Sequence, residues 1–111
     1  MCARYVLTAA HCLKNRQERS FEVVLGDMHT STRTESAEIR RSVTRIIRHP
    51  RFGTRSTFDY DFALLRLDPP VNFETHSNIR PACLPDDLNE VAVGAAGTVS
   101  GWGLVGPDSR Y

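Results

Sequence analysis

Short apolar runs along this chain are punctuated at close intervals by Gly, Pro, Asn and Asp, a pattern of strands and turns rather than of long amphipathic helices. The runs predict strands at Tyr5 to Thr8, Phe21 to Leu25, Val43 to Ile47, Phe62 to Leu67 and Thr98 to Gly101, each rich in β-branched, aromatic or aliphatic residues. Between them Asn15 to Glu18, Asp27 to Glu38, His49 to Asp59 and Pro69 to Asn78 read as loops, with a brief helical turn after His11. Strands at this spacing, with no helical pattern between them, define an all-β fold, a barrel or sandwich rather than a parallel α/β sheet. A barrel must close on itself or leave edge strands open to other chains.

Composition narrows the picture. With 111 residues, of which 41% are hydrophobic, the chain can build the core of one small domain but not of two. Fourteen basic residues against 13 acidic ones give a net charge of +1, which excludes both a disordered chain and one attracted to polyanions by its overall charge. No run of about 18 apolar residues is present to span a membrane. The opening Met1-Cys2-Ala3-Arg4-Tyr5 lacks the apolar stretch of a secretory leader. The three cysteines, Cys2, Cys12 and Cys83, cannot all pair within the chain.

Two segments carry candidate chemistry. Thr8-Ala9-Ala10-His11-Cys12 places an imidazole just after an apolar strand, where it is either a structural histidine at a strand end or a reactive base. The run from Asp59 through Asp61 to Leu67 sets acids directly before a strongly apolar strand. A carboxylate there is partly desolvated and needs a partner such as an imidazole N–H, unless both aspartates are solvated turn residues.

In order, Val6-Leu7-Thr8-Ala9-Ala10-His11-Cys12, Asp61-Phe62-Ala63-Leu64-Leu65, Arg80-Pro81-Ala82-Cys83-Leu84-Pro85 and Gly101-Trp102-Gly103 closely resemble the trypsin- and chymotrypsin-like serine proteases. Leu25-Gly26-Asp27 and Arg48-His49-Pro50 also look like features of that family, so the resemblance spans almost the whole chain. It implies the N-terminal six-stranded antiparallel β-barrel of a double-barrel fold, here in part, ending near the Gly-Trp-Gly crossover. By the same resemblance His11 matches the general base and Asp61 the buried carboxylate that orients it, while Asp59 matches neither. The implied activity is serine-type endopeptidase action on protein or peptide substrates, with no cofactor and an extracellular setting.

The departures from the family pattern matter as much. Its Gly-Asp-Ser-Gly-Gly nucleophile segment does not occur in these 111 residues, and Ser100 and Ser109 match no nucleophile motif. The second barrel and its specificity pocket are missing, so the chain alone is expected to be inactive. An unclosed half with a face meant for its sister barrel is expected to be poorly soluble. Cys12 corresponds to a cysteine that is paired in relatives, which makes a Cys2–Cys12 disulfide the expectation here, although Ala3-Arg4 follows Cys2 where relatives have Gly-Gly-Ser. Cys83 matches a position whose partner lies on a separate pro-segment and is expected to be unpaired.

Weaker signals remain. Arg40, Arg41, Arg45 and Arg48 begin a basic stretch suited to an anionic polysaccharide, or simply to a solvated strand face. The loop containing Asp27, Glu35 and Glu38 offers hard oxygen ligands where some relatives bind calcium, though the match is poor. His11-Cys12 lacks the spaced ligand pairs of a structural zinc site. The aromatics Phe52, Phe58, Tyr60, Phe62 and Trp102 come with no nucleic-acid-binding motif, so core packing is their expected role. Two functions follow: half of a serine endopeptidase, or a non-catalytic relative acting as a binding or regulatory module. Retention of both His11 and Asp61 favours the first.

Overall fold

A computed structural model of the chain describes residues 2–28, 38–86, 93–104 and 106. Among them the regular structure is all-β: strands β1 (Cys2–Thr8), β2 (Glu22–Leu25), β3 (Ile39–Arg48) and β4 (Ala63–Asn72), with single 3₁₀ turns at Ala10–Leu13 and Glu18–Ser20. The four strands form one antiparallel sheet in the order β1-β4-β3-β2, consistent with part of the barrel that the resemblance implies. Four strands, rather than the six of the complete barrel, are present among the described residues. By chain contacts the molecule divides into Met1–Pro81, which holds all of these elements, and Ala82–Tyr111.

β4 is central because its residues satisfy a buried strand on one face. Ala63, Leu65, Leu67 and Val71 are buried, whereas Leu64 and Asp68 face outward. Together with Ala10, Leu13, Val43 and Ile79 these residues make the core, against which Val6, Phe21, Val23, Leu25, Ile39, Ile46, Phe52 and Phe73 pack. The outer face is also apolar near the start of β4, where Leu7, Ile47, Phe62 and Leu64 are exposed, as is Tyr5 further along β1.

Two irregularities explain why the strands run longer than the sequence pattern predicts. β3 was expected only over Val43 to Ile47, but Ile39–Ser42 extend it by pairing with β2, Glu22 opposite Ser42 and Leu25 opposite Ile39. Within β3 the register passes from Val43↔Leu67 to Arg45↔Arg66, so Thr44 is an extra residue, a bulge that resets the alternation. Val43 and Ile46 therefore both turn toward the core, and Arg45 faces outward.

β4 was expected to stop at Leu67, before Pro69-Pro70, yet it continues to Asn72. Its partner β1 goes from Tyr5↔Arg66 directly to Ala3↔Val71, so residues 67–70 bow out of that ladder. The prolines' missing N–H groups are not needed there. The fifth expected strand, Thr98 to Gly101, is not formed: these residues pair with no strand among the described ones.

The aromatic residues do not share the common core role expected of them. Phe52 packs against the core, but Phe58, Phe62 and Trp102 are mostly exposed and Tyr60 stacks on His49. Among the described residues of Met1–Pro81, the rings of Phe58 and Phe62 stay open to solvent.

Leu67 is 1% exposed at the centre of the sheet. Leu67→Ala should lower stability by about 2–5 kcal/mol through lost burial and the cavity left behind. Arg45→Thr, which removes one of two like charges facing each other across β3 and β4, should be neutral or slightly stabilising. Urea unfolding of both variants checks the pair; equal midpoints would contradict this packing.

Candidate functional site

His11 and Asp61 are brought together by strand register. Ala63 pairs with Thr8 of β1 on one side and with Arg48 of β3 on the other. His11 lies three residues beyond Thr8 and Asp61 two residues before Ala63, so the β1–β4 ladder sets both at the same end of the sheet. A slip of one residue would turn the core-facing side chains of β4 outward and part the two groups.

His11 occupies the 3₁₀ turn Ala10–Leu13. At three residues per turn, Ala10 and Leu13 stack on one side. Both are buried, at 0% and 2% exposure, which turns His11 and Cys12 outward. The far end of the turn is held by Arg48, whose guanidinium donates to the carbonyls of Leu13 and Arg16. Its near end begins at Ala9, whose side chain cannot cap the free N–H groups of a helical start. Asp61 caps them from fifty residues away: the His11 backbone N–H donates to Asp61 Oδ1 at 2.8 Å.

The same carboxylate holds the ring. His11 Nδ1 lies 2.6 Å from Asp61 Oδ2. An ionised carboxylate can only accept, so Nδ1 carries the proton and, in the neutral ring, Nε2 is left as an acceptor. Cys12 Sγ lies 3.4 Å from Nε2, with the thiol donating. Phe58 meets the imidazole edge-on, ring centres 5.5 Å apart at 88°. The His11 side chain is 50% exposed and that of Asp61 19%, a shielded acid beneath a reachable base.

Burial pushes the Asp61 carboxyl upward. The hydrogen bonds from the His11 ring and backbone, the positive charge the ring can carry and the Ala10 N–H outweigh that effect, so the group is held below its ordinary value.

Asp61 itself follows Tyr60, whose φ of +50° is a left-handed conformation that costs a non-glycine residue roughly 1–2 kcal/mol. The neighbouring Asp59 forms a two-pronged ion pair with Arg55 at 2.6 and 2.9 Å. That pair, the Phe58 contact and the Cys12 contact are features that sequence reasoning missed. The Arg55–Asp59 spacing was visible, but four residues apart signals contact only on a helix, and this segment is a loop.

The remaining residues singled out in the sequence are placed as follows. Cys12 is a free thiol, so the expected Cys2–Cys12 bond is not formed. Six residue steps separate Cys2 from the end of β1, about 20 Å of extended chain, and Cys12 lies beyond that end, whereas bridged Cα atoms sit within about 7 Å. Cys83 carries a free, exposed thiol.

Arg40 is engaged by Glu22 and Glu38, each at 2.6 Å, and Arg41 donates to the Arg40 carbonyl. Arg45 faces Arg66 in register, and Arg48 is committed to the turn that carries His11. Of the calcium candidates, Glu35 lies outside the described residues, Glu38 binds Arg40, and Asp27 follows β2. Among the described residues no three metal-ligating side chains cluster.

The Trypsin family profile matches residues 1–110 of the chain. The chain is 41% identical over 102 residues to serine protease filzig of Drosophila melanogaster, covering 91% of the chain and 6% of that protein. It is 33% identical over 108 residues to ovochymase-2 of Mus musculus, covering 97% of the chain and 17% of that protein. The chain belongs to the trypsin family of serine proteases. It spans well under a quarter of the length of these two relatives.

A group whose folded pKa is depressed stabilises the fold above its unfolded value and loses that contribution as pH falls through the lower folded value. Asp61 should therefore titrate below the ordinary value of an aspartate, followed by the NMR shift of its carboxyl carbon. A midpoint at or above that value would contradict the hydrogen-bonded carboxylate.

Proposed function

We propose that this chain supplies the base-and-acid half of a secreted serine endopeptidase, with His11 as general base and Asp61 as the carboxylate that orients it. The single observation that carries the reading is the 2.6 Å contact between His11 Nδ1 and Asp61 Oδ2, which leaves Nε2 as the acceptor on an exposed edge. A serine hydroxyl arriving at Nε2 replaces the Cys12 thiol as proton donor. It gives its proton to His11 as it attacks the scissile carbonyl, and His11 then returns that proton to the leaving amine. Asp61 holds the required tautomer and stabilises the imidazolium without itself taking the proton.

The nucleophile and specificity pocket come from a second barrel, and no serine of these 111 residues fits the nucleophile motif. The chain by itself is accordingly inactive. The second reading, a non-catalytic homologue, differs by one residue: the one standing where the nucleophile belongs.

Reading the transcript past Tyr111 tests the proposal. An in-frame Gly-Asp-Ser-Gly-Gly supports the protease, and a substituted serine the non-catalytic homologue. In the longer protein, His11→Ala should lower kcat by about 10⁶. Asp61→Asn should lower it by about 10⁴, because an amide N–H facing Nδ1 forces the wrong tautomer. Activity undiminished in either variant would contradict these roles, as would peptide hydrolysis by the 111-residue chain that His11→Ala abolishes.

A further inference from the structure

The β3–β4 loop arrives at Asp61 through an unusual clasp. A backbone bond from the His49 N–H to the Phe62 carbonyl, 2.9 Å, closes its ends. Inside it the Gly53 N–H donates to the Asp59 carbonyl at 2.9 Å and the Asp59 N–H to the Ser56 carbonyl at 3.1 Å. Between Asp59 and Asp61 stands Tyr60, in the left-handed region where a bulky side chain persists only if its surroundings over-determine it.

Those surroundings are specific. The Tyr60 ring lies flat on His49, centres 4.7 Å apart and planes within 6°. The Arg51 guanidinium sits 4.7 Å and that of Arg55 5.4 Å from the same ring centre. Arg55 is itself fixed by its fork on the Asp59 carboxylate. His49 is oriented by the Arg51 backbone N–H, which donates to its Nδ1 at 3.2 Å. Immediately after Tyr60, the Phe62 N–H reaches back to the Tyr60 carbonyl at 2.7 Å, a tight turn with Asp61 at its apex.

We propose that Tyr60, clamped by Arg55, Arg51 and His49, is a positioning residue for Asp61, its locked backbone aiming the carboxylate at His11 Nδ1. This rests on the reading of Asp61 as the orienting acid. The clamp suits such a role, because two guanidiniums and an imidazole gripping one ring outside the core fix the backbone one bond away from the residue whose direction matters. The stacking and both guanidinium contacts are made by the phenol ring rather than its hydroxyl, so Phe at position 60 should serve equally well.

The test reads the His11–Asp61 bond directly, in the longer protein and without proteolysis. A ring proton shared with a carboxylate at 2.6 Å gives a strongly downfield NMR signal that exchanges slowly with solvent. Tyr60→Phe should keep that signal. Tyr60→Ala should move it upfield and speed its exchange at least fivefold while the β1–β4 amide signals stay in place.

Arg55→Gln, which leaves the Tyr60 backbone untouched but removes the fork, should give an intermediate shift, and it decides the matter if Tyr60→Ala fails to fold. An unchanged signal in a folded Tyr60→Ala or, failing that, in Arg55→Gln overturns the positioning role and leaves the proposed function standing. No downfield signal in the unmodified longer protein, folded, overturns both.

Discussion

The pairing of β1 with β4 is the constraint on which everything else in this chain depends. Thr8 opposite Ala63 determines where the chain leaves one strand and enters the other, and hence where His11 and Asp61 meet. The side chains that hold that register are Leu65, Leu67 and Val71 on β4, with Val6 from β1 packed against them. The His11–Asp61 contact at the rim is thus maintained by burial in the sheet, because a displaced register would expose these residues as it parted the two groups.

Asp61 illustrates how one side chain serves fold and chemistry together. A carboxylate at the head of an apolar strand is costly to bury alone. The 3₁₀ turn opposite has unpaired N–H groups and an alanine where a capping side chain would be. Each supplies what the other lacks, and the His11 ring adds a second donor to the same carboxylate. The imidazole's tautomer then follows from the acceptor-only chemistry of its partner, leaving the outward nitrogen unprotonated and able to accept. Removing the acid would therefore loosen the turn as well as free the ring.

Much of this was legible in the sequence. Thr8-Ala9-Ala10-His11-Cys12 announced a strand ending in a turn, and Asp61 before Phe62-Ala63-Leu64-Leu65 announced an acid at the mouth of a buried strand. Strand ends were less legible, because they depend on partners. The polar Arg40-Arg41-Ser42 became strand only through β2, and Pro69-Pro70 stayed in β4 only because β1 skips them. The bulge at Thr44 is a property of two strands in register and leaves no mark on one of them. The Cys2–Cys12 expectation failed on distance along β1, and the arginine stretch proved to be distributed among ion pairs, the β3–β4 ladder and the turn beneath His11. The clasp around Tyr60 was hidden because its members look like ordinary loop residues until the loop closes.

Nitrogen-15 chemical shifts of the His11 ring in its neutral form test the central contact most directly. Protonated Nδ1 with an unprotonated Nε2 is the predicted outcome, since Asp61 Oδ2 can only accept. A ring protonated on Nε2, or exchanging freely between the two tautomers, would show that the carboxylate does not hold the imidazole and would contradict the site.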